Sequence, residues 1–197
     1  QFIAPGLLAS TALQIAVGEA TYPVLSGLKW QKFYHSMIAT PLRPADVVYG
    51  QLAFIAFRVF TSCAVFLVII TLFGGLKSPL VALGLLVALL VGMATAAPIA
   101  AYATTLENDS GFAMVFRFGV VPAFLFSGAF FPVSQLPDWI EWLAYVSPLW
   151  HAVDLARSLS LGTVRPWLAL LNIVYLLAWF AAGTWLAVRG FTKRLIG

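Results

Sequence analysis

Five runs of about 20 predominantly apolar residues, at roughly 2–25, 48–73, 79–103, 112–131 and 167–188, constrain this chain more than any motif in it. A run of that length crosses the hydrocarbon of a bilayer as an α-helix, because only a helix satisfies its own backbone groups there. Hydrophobic residues make up 62% of the 197 residues and charged residues 9%, with a mean hydropathy of +0.97. That leaves too little polar surface to cover a water-soluble fold of this size. The expected fold is all-α and polytopic, with residues 1–197 as a single transmembrane domain.

The distribution of Lys and Arg orients the spans. Lys29, Lys32 and Arg43 follow the first span, and Arg189, Lys193 and Arg194 follow the last. The connection at 74–79 carries only Lys77, and the stretch before the last span balances Arg157 and Arg165 against Asp138, Glu141 and Asp154. The expectation is therefore that 28–46, 106–111 and the C-terminal tail are cytoplasmic, with 74–79 and the region before the last span outside. Five spans then place the start of the sequence outside, so a further span before it, making six, is expected. The sequon at Asn108 falls in an expected cytoplasmic loop and reads as a chance match.

Residues 28–39, LKWQKFYHSMIA, read as one amphipathic helix. Trp30, Phe33, Tyr34, Met37 and Ile38 recur at helical spacing, with Lys29, Lys32, His35 and Ser36 opposite. Thr40-Pro41 ends it, since a residue before proline avoids the helical region. Such a helix either lies on the membrane with its aromatic face in lipid or docks in a groove of a cytoplasmic partner. Periodicity does not choose between these.

Charges inside spans are costly and face protein, water or a partner. Glu19, Arg58 and Arg117 all fall in the expected cytoplasmic third of the bilayer. Either Glu19 pairs with Arg58, Arg117 or both, or each Arg snorkels to the headgroups on its own. In the third span Gly84, Ala88, Gly92, Ala96 and Ala100 recur every four residues, a smooth ridge for helix packing within a protomer or between two. Pro98 in the same span is expected to kink it.

Residues 130–157 are too polar and proline-interrupted to span a bilayer, yet too rich in Trp and Leu for an aqueous loop. They read as two short interfacial helices, the first opened by Pro137 and the second by Ser147 as cap and Pro148 as first helical residue. Trp139, Trp142, Tyr145 and Trp150 suit the headgroup layer. His151, Asp154 and Ser158 share a face of the second helix, with Arg157 alongside. A catalytic triad is a poor reading, because all three lie on one helical face with no loop to form an oxyanion hole. A solvated face with a local pair of Asp154 and Arg157 is the expectation. The single Cys63 and two separated His leave neither disulfide nor metal site, and no phosphate-binding GxxxxGK[ST] loop occurs.

Three stretches give the chain a resemblance to the permease subunits of ABC-2 type exporters, in the branch of nodulation lipo-oligosaccharide and daunorubicin-type drug exporters. They are Gly18-Glu19 through Thr40-Pro41-Leu42-Arg43-Pro44 to Gly50-Gln51; Ser127-Gly128-Ala129-Phe130-Phe131-Pro132-Val133 with Gln135-Leu136-Pro137; and Ser147-Pro148-Leu149 through His151, Asp154 and Arg157.

The resemblance implies a six-span, multi-pass permease of the cytoplasmic membrane that dimerises, as a homo- or heterodimer, and binds cytoplasmic ABC ATPase subunits. The chain would then not be an enzyme, and ATP and Mg would bind the partner. It further implies a coupling helix at 28–39, with Lys29, Trp30, Lys32, Phe33, Tyr34, His35 and Met37 at the ATPase, and a re-entrant extracellular pair of helices at 132–160. Phe130, Phe131, Pro132, Trp139, Trp142 and Trp150 would form an outer gate. The expected function is export of an amphiphile such as a glycolipid, polysaccharide precursor or hydrophobic drug, with membrane lipid as a partner and nucleic acid as none. The alternative is an ion-coupled transporter or channel with Glu19, Arg58 and Arg117 as relay.

Overall fold

The computed structural model describes residues 3–72, 81–130, 133 and 138–197. Among these the regular structure is entirely helical. Helix α1 (Ile3–Ala20) breaks at Thr21 and resumes as α2 (Tyr22–Leu25). Pro23 lacks the N–H that would have bonded the Glu19 carbonyl, so the ladder is interrupted there. A π-helical turn, Ser26–Trp30, leads to α3 (Phe33–Ile38). Next come α4 (Pro44–Leu72) and α5 (Val81–Ala103). Helix α6 (Ser110–Met114) then runs through a second π-helical stretch, Val115–Val120, into α7 (Val121–Phe126). The chain ends with α8 (Asp138–Val146), α9 (Pro148–Leu161) and α10 (Pro166–Leu195).

Among the described residues, three helices, Pro44–Leu72, Leu83–Ala103 and Pro166–Leu195, are long and apolar enough to cross a membrane. The two other expected spans are shorter as helices. The run expected at 112–131 is helical only over Ser110–Phe126, and the first is divided at Thr21.

Helix α5 is central and packs against α10, α1, α4 and α9. Its small residues make this possible, because bulk at the contact would hold the backbones apart. Ala88, Ala96, Ala97 and Ala100 are buried, as are Ala9, Ala12 and Ala16 on α1. The ridge expected on this helix faces neighbours of the same protomer. A Cβ on Gly84 would sit 3.3 Å from Leu8, and one on Gly92 would sit 3.2 Å from Val59 and 3.6 Å from Ala16. The other side of α5 meets α10 more closely still. A Cβ on Gly183 would lie 2.4 Å from the Pro98 ring, and one on Gly190 would lie 2.1 Å from the Thr104 hydroxyl.

The outward faces of α4 and α10 are apolar. Phe54, Phe57, Phe60, Val65 and Val68 are exposed on α4, and Leu170, Leu171, Val174 and Leu177 on α10. An apolar exterior of this extent suits lipid rather than water.

Candidate functional site

The polar side chains gather at the two ends of the bundle. At one end, the segment between α2 and α4 is folded against the helices rather than laid out as a single amphipathic rod. The expected continuous helix over 28–39 is corrected here. Lys32 takes a left-handed conformation, φ 54° and ψ 22°, which ends the first piece and starts α3 in a new direction. Lys32 is the only non-glycine residue with positive φ among the described residues. A lysine in that left-handed conformation costs about 1–2 kcal/mol of backbone strain.

The break divides the expected apolar face. Tyr34 is 2% exposed; its hydroxyl donates to Gln51 Oε1 at 2.9 Å and its ring meets Phe191 of α10 at 5.3 Å. Phe33 stacks obliquely on Tyr34 at 4.2 Å. Both rings fold back over Gly27, where a Cβ would come within 2.4 Å of Tyr34 and 2.6 Å of Phe33. Glycine is therefore what lets this segment close on itself. Tyr34 thus lies inside the bundle and presents no surface to a partner. Trp30, Lys32 and Met37 do, and Leu42 beside them is exposed as well. His35 is half-buried, and its Nδ1 has no hydrogen-bond partner among the described residues.

Glu107, in the connection after α5, ties this end together. Its Oε2 lies 2.7 Å from Lys29 Nζ and its Oε1 2.6 Å from Arg194 Nη1. Lys29 also donates to the Glu107 carbonyl, and Arg194 Nη2 donates to that of Leu106 at 3.2 Å. The hydrogen bonds from Arg194 and Lys29 hold the Glu107 carboxyl down at about 2. The three segments with the expected cytoplasmic location are thereby fastened to one another at one end of the molecule.

Within the bundle, Glu19 Oε1 lies 3.0 Å from Arg58 Nη2. The Arg58 guanidinium also sits 5.9 Å above the Phe54 ring. Arg117 does not join them. It lies in the π-helical stretch with its side chain exposed, and it makes no ion pair among the described residues. The expected three-charge cluster is thus a pair of Glu19 and Arg58.

The other end is built by α8, α9 and the start of α10. Ser147 caps α9, accepting from the Leu149 N–H at 3.3 Å, and Gly162 closes it at φ 67°. His151 Nδ1 faces Asn172 Oδ1 at 2.7 Å, and Asn172 Nδ2 donates to Asp154 Oδ2 at 2.9 Å. His151 Nε2 faces the Tyr145 carbonyl at 3.0 Å, and the ring lies 4.0 Å from that of Tyr175. Asn172 is buried, so the network pins α9 to α10. Asp154 and Arg157 attract each other electrostatically, and each also reaches a partner outside α9. Asp154 accepts from Asn172 on α10, and Arg157 Nη2 donates to the Gly128 carbonyl at 2.6 Å.

Of the expected gate residues, Phe130 packs edge-on against Phe124 at 5.0 Å, and Trp142 is exposed. Trp150 meets Tyr145 at 4.6 Å. Phe131, Pro132, the Trp139 side chain and the outer connection 74–79 lie outside the described residues.

Glu107, Asn172, Gly183 and Gly190 were not singled out from the sequence. Gly183 and Gly190 stand seven apart on α10 and carried the same small-residue signal as the α5 ridge. Glu107 and Asn172 carried none, because their partners are 87 and 21 residues away.

A family model described as ABC-2 type transporter matches residues 1–161. Among curated proteins, the chain is 31% identical over 162 residues to Nodulation protein J of Rhizobium leguminosarum bv. trifolii, covering 82% of this chain and 62% of that protein. It is 29% identical over 161 residues to Nodulation protein J of Sinorhizobium fredii, covering 81% and 61%. The chain thus spans about three fifths of the length of these relatives. No solved structure matches.

Proposed function

Because the chain belongs to the ABC-2 type transporter family, we propose that it is the membrane-embedded permease of an ATP-driven exporter. It works in the cytoplasmic membrane as part of a dimer, with ATP hydrolysed by a separate cytoplasmic subunit. Its cargo is an amphiphile, such as a glycolipid, a polysaccharide precursor or a hydrophobic drug.

The observation that carries this reading is the folded segment between α2 and α4. It offers Trp30, Lys32 and Met37 outward, while Tyr34 locks it to α4 and α10. A push on the exposed side reaches α4, α10 and the connection after α5 at once. Tyr34 passes it to Gln51 and Phe191, and Lys29 passes it through Glu107 to Arg194. A rigid connection of this kind converts movement of a partner into tilting of spans. In this reading Trp30, Lys32 and Met37 touch the ATPase, whereas Phe33 and Tyr34 transmit force from inside. Glu19 and Arg58 hold α1 to α4 near the inner mouth, and the aromatic helices α8 and α9 cover the exit.

The test is purification of the full-length protein from its native membrane in mild detergent. A phosphate-loop ATPase is expected to accompany it. Trp30→Ala combined with Met37→Ala should release that ATPase, and Tyr34→Phe should retain it. A preparation without ATPase, under conditions that keep known complexes intact, would overturn the proposal and favour an ion-coupled transporter centred on Glu19.

A further inference from the structure

His151 joins three helices at the end of the bundle away from Glu107, and its partners fix the state of its ring. Asn172 Nδ2 donates to Asp154 Oδ2 at 2.9 Å, and a carboxylate oxygen only accepts. That bond orients the amide, so the atom it turns to His151 Nδ1, at 2.7 Å, is the carbonyl oxygen Oδ1. On the far side of the ring, Nε2 faces a second acceptor, the Tyr145 carbonyl, at 3.0 Å. An imidazole with one proton donates at one nitrogen and accepts at the other. With oxygen acceptors on both sides, this ring needs both protons.

The surroundings suit that charge. Tyr145 lies in the last turn of α8, which has no basic residue of its own, and carbonyls at a helix C-terminus attract a cation. The Tyr175 ring of α10 lies 4.0 Å from the imidazole. On α9, Asp154 is linked to the ring through Asn172, and Arg157 is held by the Gly128 carbonyl and by attraction to Asp154. On α8, Glu141 accepts from the Tyr145 hydroxyl at 2.6 Å. Helices α1, α5 and α7 also pack on α9, but their titratable residues, Glu19 and Tyr102, lie towards the Glu107 end.

The two protons are not equivalent. Asn172 is buried, whereas Tyr145 is exposed and its carbonyl can turn to water. Leaving a buried acceptor unpaired costs more than returning an exposed one to solvent. The proton that leaves first is therefore the one on Nε2. A lone pair then faces the Tyr145 carbonyl oxygen, and attraction becomes repulsion.

We infer that His151 is an imidazolium that latches α8 to α9 and α10, and that loss of its Nε2 proton frees the end of α8 while the bond to Asn172 keeps α9 on α10. Imidazoles change charge between about pH 5 and 8, so the latch is closed on the acidic side and opens as pH rises. Where α8 and α9 cover the exit, as proposed above, an acidic exterior holds it shut. The latch itself rests on these three helices alone and is independent of the ATPase and the cargo.

Spin labels in the full-length protein test it, one pair at the exposed positions 142 on α8 and 168 on α10, and a second at 161 on α9 and 177 on α10. The 142–168 distance distribution should be narrow at about pH 5.5 and wide at about pH 8.5, while the 161–177 distribution stays unchanged. His151→Gln should give one 142–168 width at both pH values. Tyr175→Phe should keep the response, because it removes only the separate bond to the Val146 carbonyl. Nitrogen-15 spectra of the histidines, with His151→Gln identifying the signal, should show both ring nitrogens protonated at the lower pH and Nε2 alone deprotonated at the higher. Equal 142–168 widths in the native protein, a pH response that survives in His151→Gln, or deprotonation at Nδ1 in place of Nε2 would each overturn the inference.

Discussion

Arg194 Nη1 lies 2.6 Å from Glu107 Oε1, which fixes the C-terminal end of α10 to the connection that follows α5. Lys29 holds the other carboxylate oxygen, so one exposed acid joins three separate segments. The pH behaviour follows from the depressed Glu107 value. Its folded-state carboxyl is lowered from 4.5 to about 2, so the contribution is fully present above 4.5 and is lost as pH falls towards 2. Between pH 5 and 8 the tie should not change. Spin labels at positions 108 and 196 should give a narrow distance distribution across that range. Glu107→Gln should broaden it, and raising the salt concentration should broaden it in the native protein.

Glu19 and Arg58 should behave as a unit. Removing one partner leaves the other charge in a span, and the cost is about 2–3 kcal/mol. A double-mutant cycle of Glu19→Gln and Arg58→Gln should therefore show a coupling of about 0.5 kcal/mol or more. The same cycle with Arg117→Gln should be additive, because Arg117 forms no pair with Glu19. Unfolding in detergent measures both. Equal coupling in the two cycles would contradict the geometry.

Gly183 and Gly18 make a paired test of helix packing. A Cβ at Gly183 would meet the Pro98 ring and nitrogen at 2.4 and 2.5 Å, whereas one at Gly18 meets nothing within 4 Å. Gly183→Ala should destabilise by about 1–3 kcal/mol through overpacking. Gly18→Ala should be neutral or stabilise by about 0.5–1 kcal/mol, since alanine is the better helix former. Thermal unfolding of the two variants separates the effects.

Asn172→Ala should leave Asp154 without its donor and His151 Nδ1 without its partner, both at the junction of α9 and α10. The expected cost is about 1–3 kcal/mol, the penalty for buried polar groups without partners. Hydrogen exchange should rise in α9 and the first half of α10 while remaining unchanged at Tyr34. Uniform exchange changes over the whole chain would show that Asn172 acts on global stability instead.

The local parts of this molecule are legible in its sequence because the causes are local. Long apolar runs must be helices in lipid, and Ser147 with Pro148 opens α9 by side-chain capping and a preset backbone angle. The small-residue ridge on α5 showed that backbones would approach there. Residues 28–39 show where this stops. Helical spacing grouped Trp30, Phe33, Tyr34 and Met37 on one face, but spacing assumes that the helix continues. The left-handed turn at Lys32 comes from packing, with Phe33 and Tyr34 closing over Gly27 and Tyr34 reaching Gln51 and Phe191.

The sequence by itself determined the membrane class, the helical content and the position of charge along the chain. Those properties depend on hydropathy and backbone satisfaction within a few turns. Only the tertiary structure decided that Glu19 meets Arg58 and not Arg117, that Glu107 collects Lys29 and Arg194, and that Tyr34 faces inward. Each of these rests on which helix faces lie side by side. That is set by close packing of the small residues of α1, α5 and α10, and Coulomb attraction then acts between whichever charges the packing brings within reach.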